Sequence, residues 1–174
     1  MKIARWPIAF LLLAGVAAAQ QVRWNYDKLA ARASETVDVS LDGGLLKLAT
    51  NFLSDDDKDQ AKVKKLVAGL KGIYVKSFEF KNPGEYTAAD LESFRAALHA
   101  PDWQRIVGVH SHEDGETVEV YIKSEGKNVA GMAIIASEPK ELTLVNLVGS
   151  IDLDSLSELG GQFGIPEVQP DKKK

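Results

Sequence analysis

The chain has no cysteine among its 174 residues. No disulfide can therefore staple the fold, no thiolate can serve as nucleophile or metal ligand, and no lipobox cysteine can carry a lipid anchor. Stability must come from packing. Histidine is scarce, with three residues, so few catalytic or metal-binding constellations can be assembled. Positive charge is in the minority: 21 Lys and Arg face 25 Asp and Glu, a net charge of −4. That balance argues against nucleic-acid binding, which needs a basic patch to displace counterions from phosphates. No Gly-x-Ser-x-Gly elbow occurs. Beyond the N-terminal segment no run is long and apolar enough to span a bilayer.

The N-terminal segment has the three parts of a secretory signal peptide. Lys2 and Arg5 form a positive n-region, residues 8–16 an apolar run, and Ala17-Ala18-Ala19 the small-residue pattern that a signal peptidase reads. The run is shorter than the ~20 residues of a spanning helix. Cleavage is expected between Ala19 and Gln20, giving a signal peptide over residues 1–19 and a periplasmic or secreted product without a membrane span. Residues 20–174 then carry 19 basic and 25 acidic side chains, a net charge of −6. A chain of that size buries one good core and forms one domain.

Periodicity gives the elements. Residues 24–34 are expected as a short helix, with Leu29 and Ala33 four apart and Trp24 beside them. Residues 36–41 alternate as a half-buried strand that Asp42-Gly43-Gly44 ends. A helix over 45–53 has Leu45, Leu48, Ala49 and Phe52 at helical spacing, and one over 57–70 has Val63, Leu66, Val67 and Leu70. Residues 73–80 are a β-branched and aromatic strand, and Asn82-Pro83-Gly84 a turn. Thr87 and Asp90 open a helix running to about His99 as a capping box, and Pro101 stops it.

From there the period is two. Strands are expected over 103–109, 117–123 (Val118, Val120 and Ile122 inward), 128–136 and 141–148. Their short links permit only antiparallel neighbours. A helix over 152–159 follows, then Gly160-Gly161 and a tail, flexible from about residue 167. The fold class is α+β: a single domain with a mainly antiparallel sheet, a C-terminal four-strand meander, and helices packed on one face.

Candidate chemistry is thin. His110 and His112, followed by Glu113, could begin a zinc or copper site, since residues two apart on a strand share a face. A third ligand at recognisable spacing is missing, and HSHEDGE also suits a polar hairpin turn. Asp55 to Asp59 resembles a calcium loop, but the sixth position is Gln60 and the twelfth Leu66, which makes it a solvated helix start. Gly43-Gly44 before a helix could receive an anion but lacks the lysine of a P-loop. Glu79, between Phe78 and Phe80, is either partly buried or on a solvent side. In the stretch 159–166, Phe163 and Ile165 either tuck back onto the sheet or form a close-approach surface for a partner. No catalytic residue and no cofactor is assigned.

Several stretches, taken as a set, resemble one family. They are Leu70-Lys71-Gly72-Ile73-Tyr74-Val75 running into Ser77-Phe78-Glu79-Phe80, and Trp103 before Ile106-Val107. Glu119-Val120-Tyr121, Pro139-Lys140-Glu141-Leu142-Thr143 and Val145-Asn146-Leu147-Val148-Gly149 complete the set. The chain is similar to DUF4252, exported bacterial proteins of unknown function, from about Leu29 to Ile165. The resemblance implies a small exported domain without an established activity or catalytic residues. Many members look like lipoproteins; this chain departs from them in lacking the lipid-bearing cysteine.

The leading expectation is a non-enzymatic module that binds a protein or other component of the cell envelope. It would use an exposed sheet face or edge displaying Tyr74, Lys76 and Tyr121. One alternative is a carrier of an apolar ligand held between sheet and helices. The other is a metal-dependent hydrolase using His110 and His112.

Overall fold

A computed structural model describes residues 21–126 and 128–152. The expected signal peptide, the helix over 152–159 from Leu153 onward, the stretch 159–166 and the tail lie outside these residues. The elements follow the expected order: α1 (Asp27–Ala30), β1 (Glu35–Asp42), α2 (Gly43–Thr50), α3 (Lys58–Ala68), β2 (Leu70–Glu79), α4 (Ala88–Ala96), β3 (Trp103–His110), β4 (Thr117–Glu125), β5 (Asn128–Ser137) and β6 (Glu141–Ile151). The strands form one six-stranded sheet in the order β1-β2-β6-β5-β4-β3, every neighbouring pair antiparallel. The expected meander is β3 to β6. Its last strand returns to pair with β2, so α4 carries the chain from β2, beside one edge, to β3 at the opposite edge.

The hairpin turns are chemically explicit. Gly115 and Gly126 hold φ of 69° and 64°, the left-handed region that glycine enters without a Cβ clash. Near the end of β6, a Cβ on Gly149 (φ 127°) would stand 2.5 Å from the Gly69 carbonyl oxygen. The end of β6 therefore presses on the α3–β2 junction, and Ser150 N–H donates to Gly69 O at 2.9 Å.

Two hydrophobic clusters lie on opposite faces of the sheet. The first joins Val22, Trp24 and Leu29 with Phe78, Phe80, Phe94, Leu98, Tyr121, Ala133, Ile135, Leu142 and Leu144. The second joins Leu46 of α2 with Leu70, Val120, Val129, Met132 and Ile151, with Leu66 and Val67 of α3 packed against it. Helices are thus not confined to one face: α1 and α4 cover the first, α2 and α3 part of the second. The cause lies in the strands. Neighbours such as Val120 and Tyr121, or Ile134 and Ile135, are apolar at both parities, so each face has surface to bury.

Two helices also differ in extent or facing. The first is a single turn rather than 24–34, though Trp24, Leu29 and Ala33 do pack together. The expected stripe of α2 and the turn after it faces water: Leu45, Leu48 and, beyond the end of the helix, Phe52 are 48%, 58% and 87% exposed, and Leu46 is the buried side chain of α2. Asp42 caps α2 by accepting from Gly44 N–H and Leu45 N–H, which uses the donors an anion would need there. Asp57 does the same for α3 through Asp59 and Gln60.

The capping box of α4 is present. Thr87 Oγ1 accepts from Asp90 N–H at 3.3 Å, Thr87 N–H donates to Asp90 Oδ2 at 2.8 Å, and Arg32 Nη2 donates to Asp90 Oδ1 at 2.8 Å. Burial alone would raise the Asp90 pKa, but the bonds from Arg32 and Thr87 outweigh it and hold the group below its ordinary 3.8. A carboxylate with a depressed folded pKa adds stability above its ordinary value, and that stability is lost as pH falls through the folded value. Asp90→Asn is therefore expected to unfold at lower urea than the parent at neutral pH. The gap should close on acidification below pH 3.8; a gap constant with pH would refute the assignment.

Candidate functional site

On the first face, beside α4 and the β3–β4 pair, an open pocket of about 660 Å³ is lined by Arg95, Arg105, Glu119, Trp103, Leu98 and Tyr121, with Glu92 and His99 completing it. Its floor is set by strand register. Arg105 stands opposite Tyr121 and Gly108 opposite Glu119, so the side chains of Glu119 and Tyr121 emerge on the face that α4 crosses. A bulge between Arg105 and Val107 turns the edge strand there.

Glu119 is the central group. Its side chain is 5% exposed, and each carboxylate oxygen is bonded to a different arginine. Arg95 Nε of α4 donates to Oε2 at 2.6 Å and Arg105 Nη1 of β3 to Oε1 at 2.8 Å. Burial works against charge on Arg95, but its hydrogen bond to Glu119 and the attraction of that carboxylate outweigh it and raise its pKa above the ordinary guanidinium value. The Tyr121 phenol is also raised above its ordinary value, first by burial and then by the Glu119 charge, so it is a neutral hydroxyl at physiological pH. Arg105 is 57% exposed and brings its guanidinium to the pocket mouth. The pocket can therefore grip an acidic group through Arg105 and lay an apolar group against Trp103.

The residues singled out from sequence are distributed differently. Tyr74 and Lys76 share the first face of β2, both half-buried; Lys76 is ion-paired with Asp38 and lies 5.2 Å from the centre of the Tyr26 ring. Tyr121 does not join them in a displayed surface. It is buried three strands away under α4, because the face opposite Val118, Val120 and Ile122 is covered as well. His110 and His112 do come together, ring centres 4.6 Å apart and edge to face, and His110 Nδ1 lies 2.7 Å from Thr117 Oγ1. Glu113 is exposed in the adjoining turn. Among the described residues no group of three or more His, Cys, Asp or Glu could hold a metal ion. Ser111 is bonded to Asp114 of the same turn at 3.2 Å. Glu79 is on the solvent side. The space between sheet and helices on the first face, where a carried apolar ligand would sit, is occupied by Phe78, Phe80, Phe94, Leu98, Leu142 and Leu144.

Arg95 and Arg105 were not foreseen as site residues. They lie on different elements, and the only sequence signal is Glu119 flanked by Val118 and Val120 in a strand whose other parity is also apolar at Tyr121.

Architecture and core define a single-domain α+β protein built on one antiparallel sheet. The chain belongs to the DUF4252 family, whose description is a domain of unknown function and whose model matches residues 26–159. Among solved structures it is similar to the solution structure of cyanobacterial PsbP (CyanoP) from Synechocystis sp. PCC 6803, at 13% identity and a TM-score of 0.33, covering 87% of this chain and 94% of that one. No curated protein sequence matches it. Among the described residues no helix is long and apolar enough to cross a membrane.

Proposed function

We propose that the chain is an exported, non-enzymatic binding module of the cell envelope, and that the pocket around Glu119 is where it takes its partner. The observation that supports this reading is the arginine–glutamate–arginine bridge at the base of an open, aromatic-walled pocket. Such a bridge holds Arg105 in one orientation before a partner arrives, which lowers the ordering cost of binding. The partner is an envelope protein segment that offers a carboxylate to Arg105 and an apolar side chain to Trp103. Export is supported by Lys2, Arg5, the apolar run and the three alanines.

Arg105→Gln keeps the length of the side chain and removes its charge, while Arg95 still holds Glu119. Immobilised parent protein should enrich a partner from envelope extract, and Arg105→Gln should bind the recovered partner at least about tenfold more weakly, or ~1.4 kcal/mol. Equal affinity of the two proteins for that partner, or no partner enriched, would sink the proposal.

A further inference from the structure

Strand β1 is an edge of the sheet, and among the described residues it pairs with β2 alone. Seven of its eight residues are exposed. Natural edges are blunted by proline, lysine, a bulge or a covering segment. Here there is no proline or lysine and the register with β2 runs without a shift from Glu35 to Asp42. The mid-strand charge, Asp38, is already paired with Lys76, and Asp42 is committed to capping α2.

The second face of the sheet carries an apolar row that reaches this edge. Register places Val39, Val75, Val145, Ile134, Val120 and Val107 side by side across all six strands. At the edge Val37 and Val39 remain 44% and 38% exposed. The row is buried at Val120 of β4, half-buried at Ile134 of β5, and uncovered at β1.

From this we propose that β1 is the self-association edge of the protein: two copies pair β1 antiparallel to β1 about a two-fold axis, making one continuous sheet. Charge and overlap together select the register, since centring on Val37 or Leu41 also avoids like charges but pairs fewer residues of the strand. If Asp38 faced its own equivalent, two carboxylates would oppose each other, and if Ser40 faced its own equivalent, Asp38 would oppose Asp42. With Val39 opposite Val39 of the second copy, Val37 meets Leu41, Asp38 meets Ser40 and Thr36 meets Asp42. No like charges are then opposed, and the apolar row runs on through the axis. Glu35 falls opposite Gly43 of the second copy. The start of α2 and its exposed Leu45 are thereby brought beside the uncovered Val37.

The absence of native cysteine makes the test clean. Residues directly opposite in an antiparallel pair have Cα atoms about 4.5–5.5 Å apart, within disulfide range. In this arrangement Val39→Cys forms a covalent dimer under mild oxidation, much faster than Glu125→Cys, an exposed position on β4 that reports random collision. The parent sediments as a dimer at about 100 µM, and Val39→Lys, which puts like charges at the axis, sediments as a monomer. A monomeric parent with Val39→Cys no faster than Glu125→Cys overturns the proposal. So does a dimer that survives Val39→Lys, because its interface then lies elsewhere.

Discussion

Replacing Glu119 by Leu is expected to cost about 3 kcal/mol of stability, the low end of what breaking a buried ion pair costs. The loss comes chiefly from Arg95. That guanidinium is only 24% exposed and hydrogen-bonded to the lost carboxylate, so it stays charged without its main partner, and the exposed Glu92 at 3.6 Å is a weak substitute. Arg105, at 57% exposure, recovers its hydration and adds little. The size of the effect therefore depends on which arginine is left behind. Arg105→Gln alone should cost less than about 1 kcal/mol, as for a pair open to solvent. Removing both members of the buried pair, Arg95→Leu with Glu119→Leu, should restore most of the loss, because no uncompensated charge remains. Urea unfolding of the single and double variants measures this directly; for a chain of this length the Glu119→Leu deficit corresponds to a fall in Tm of roughly 10 °C. A Glu119→Leu protein with an unchanged urea midpoint would mean that the carboxylate is not held under α4 as described. The pocket and the partner reading built on it would then go too.

The same glutamate shows where the sequence stopped being informative. A strand that alternates Val118, Val120 and Ile122 with Glu119, Tyr121 and Lys123 looks half-buried, with its polar parity in water. That inference assumes one covered face. This sheet is covered on both, so Glu119 and Tyr121 are buried under a helix that begins about thirty residues earlier. Nothing local to β4 signals it. The stripe of α2 misleads for a related reason. Leu45, Leu48 and Phe52 have the right period, but so short a helix carries apolar side chains on more than one side, and period alone does not say which of them meets the sheet. Leu46 does, because the cap at Asp42 fixes the rotation of the helix as it leaves β1. By contrast, the capping box of α4, the helix start at Asp57, the meander and its glycine turns are each set by chemistry within a few residues, and all are present. Local rules were legible; the choice of face and the Arg95–Glu119–Arg105 assembly were not.

Phe78→Ala is expected to produce the other large loss, about 4 kcal/mol, within the range for truncating a buried phenylalanine. Phe78 is fully buried, at 0% exposure, on β2 between β1 and β6. Its cross-strand neighbour Leu142 is also at 0%, and the Tyr26 ring centre lies 6.0 Å from its own. Collapse around the deletion is restricted on every side. Strands flank it through ladder hydrogen bonds, and Trp24, which leads into the α1 segment above it, is fixed by its Nε1–H donating to Phe94 O at 3.1 Å. The cavity therefore persists, and the cost includes the dispersion contacts of its lining as well as the lost transfer of the ring. Phe78→Leu, which keeps most of the volume, should cost less than half as much. Denaturant titration of both variants gives the comparison, with an unchanged slope showing that the same surface is exposed on unfolding. The α1 segment should report the damage first. Hydrogen exchange at Leu29 and Ala30, whose N–H groups donate to Tyr26 O at 2.9 Å, should speed up in Phe78→Ala more than exchange in β4 and β5. If exchange in the two regions accelerates equally, Phe78 holds up the whole sheet rather than the seat of α1, and the account of the first-face core changes accordingly.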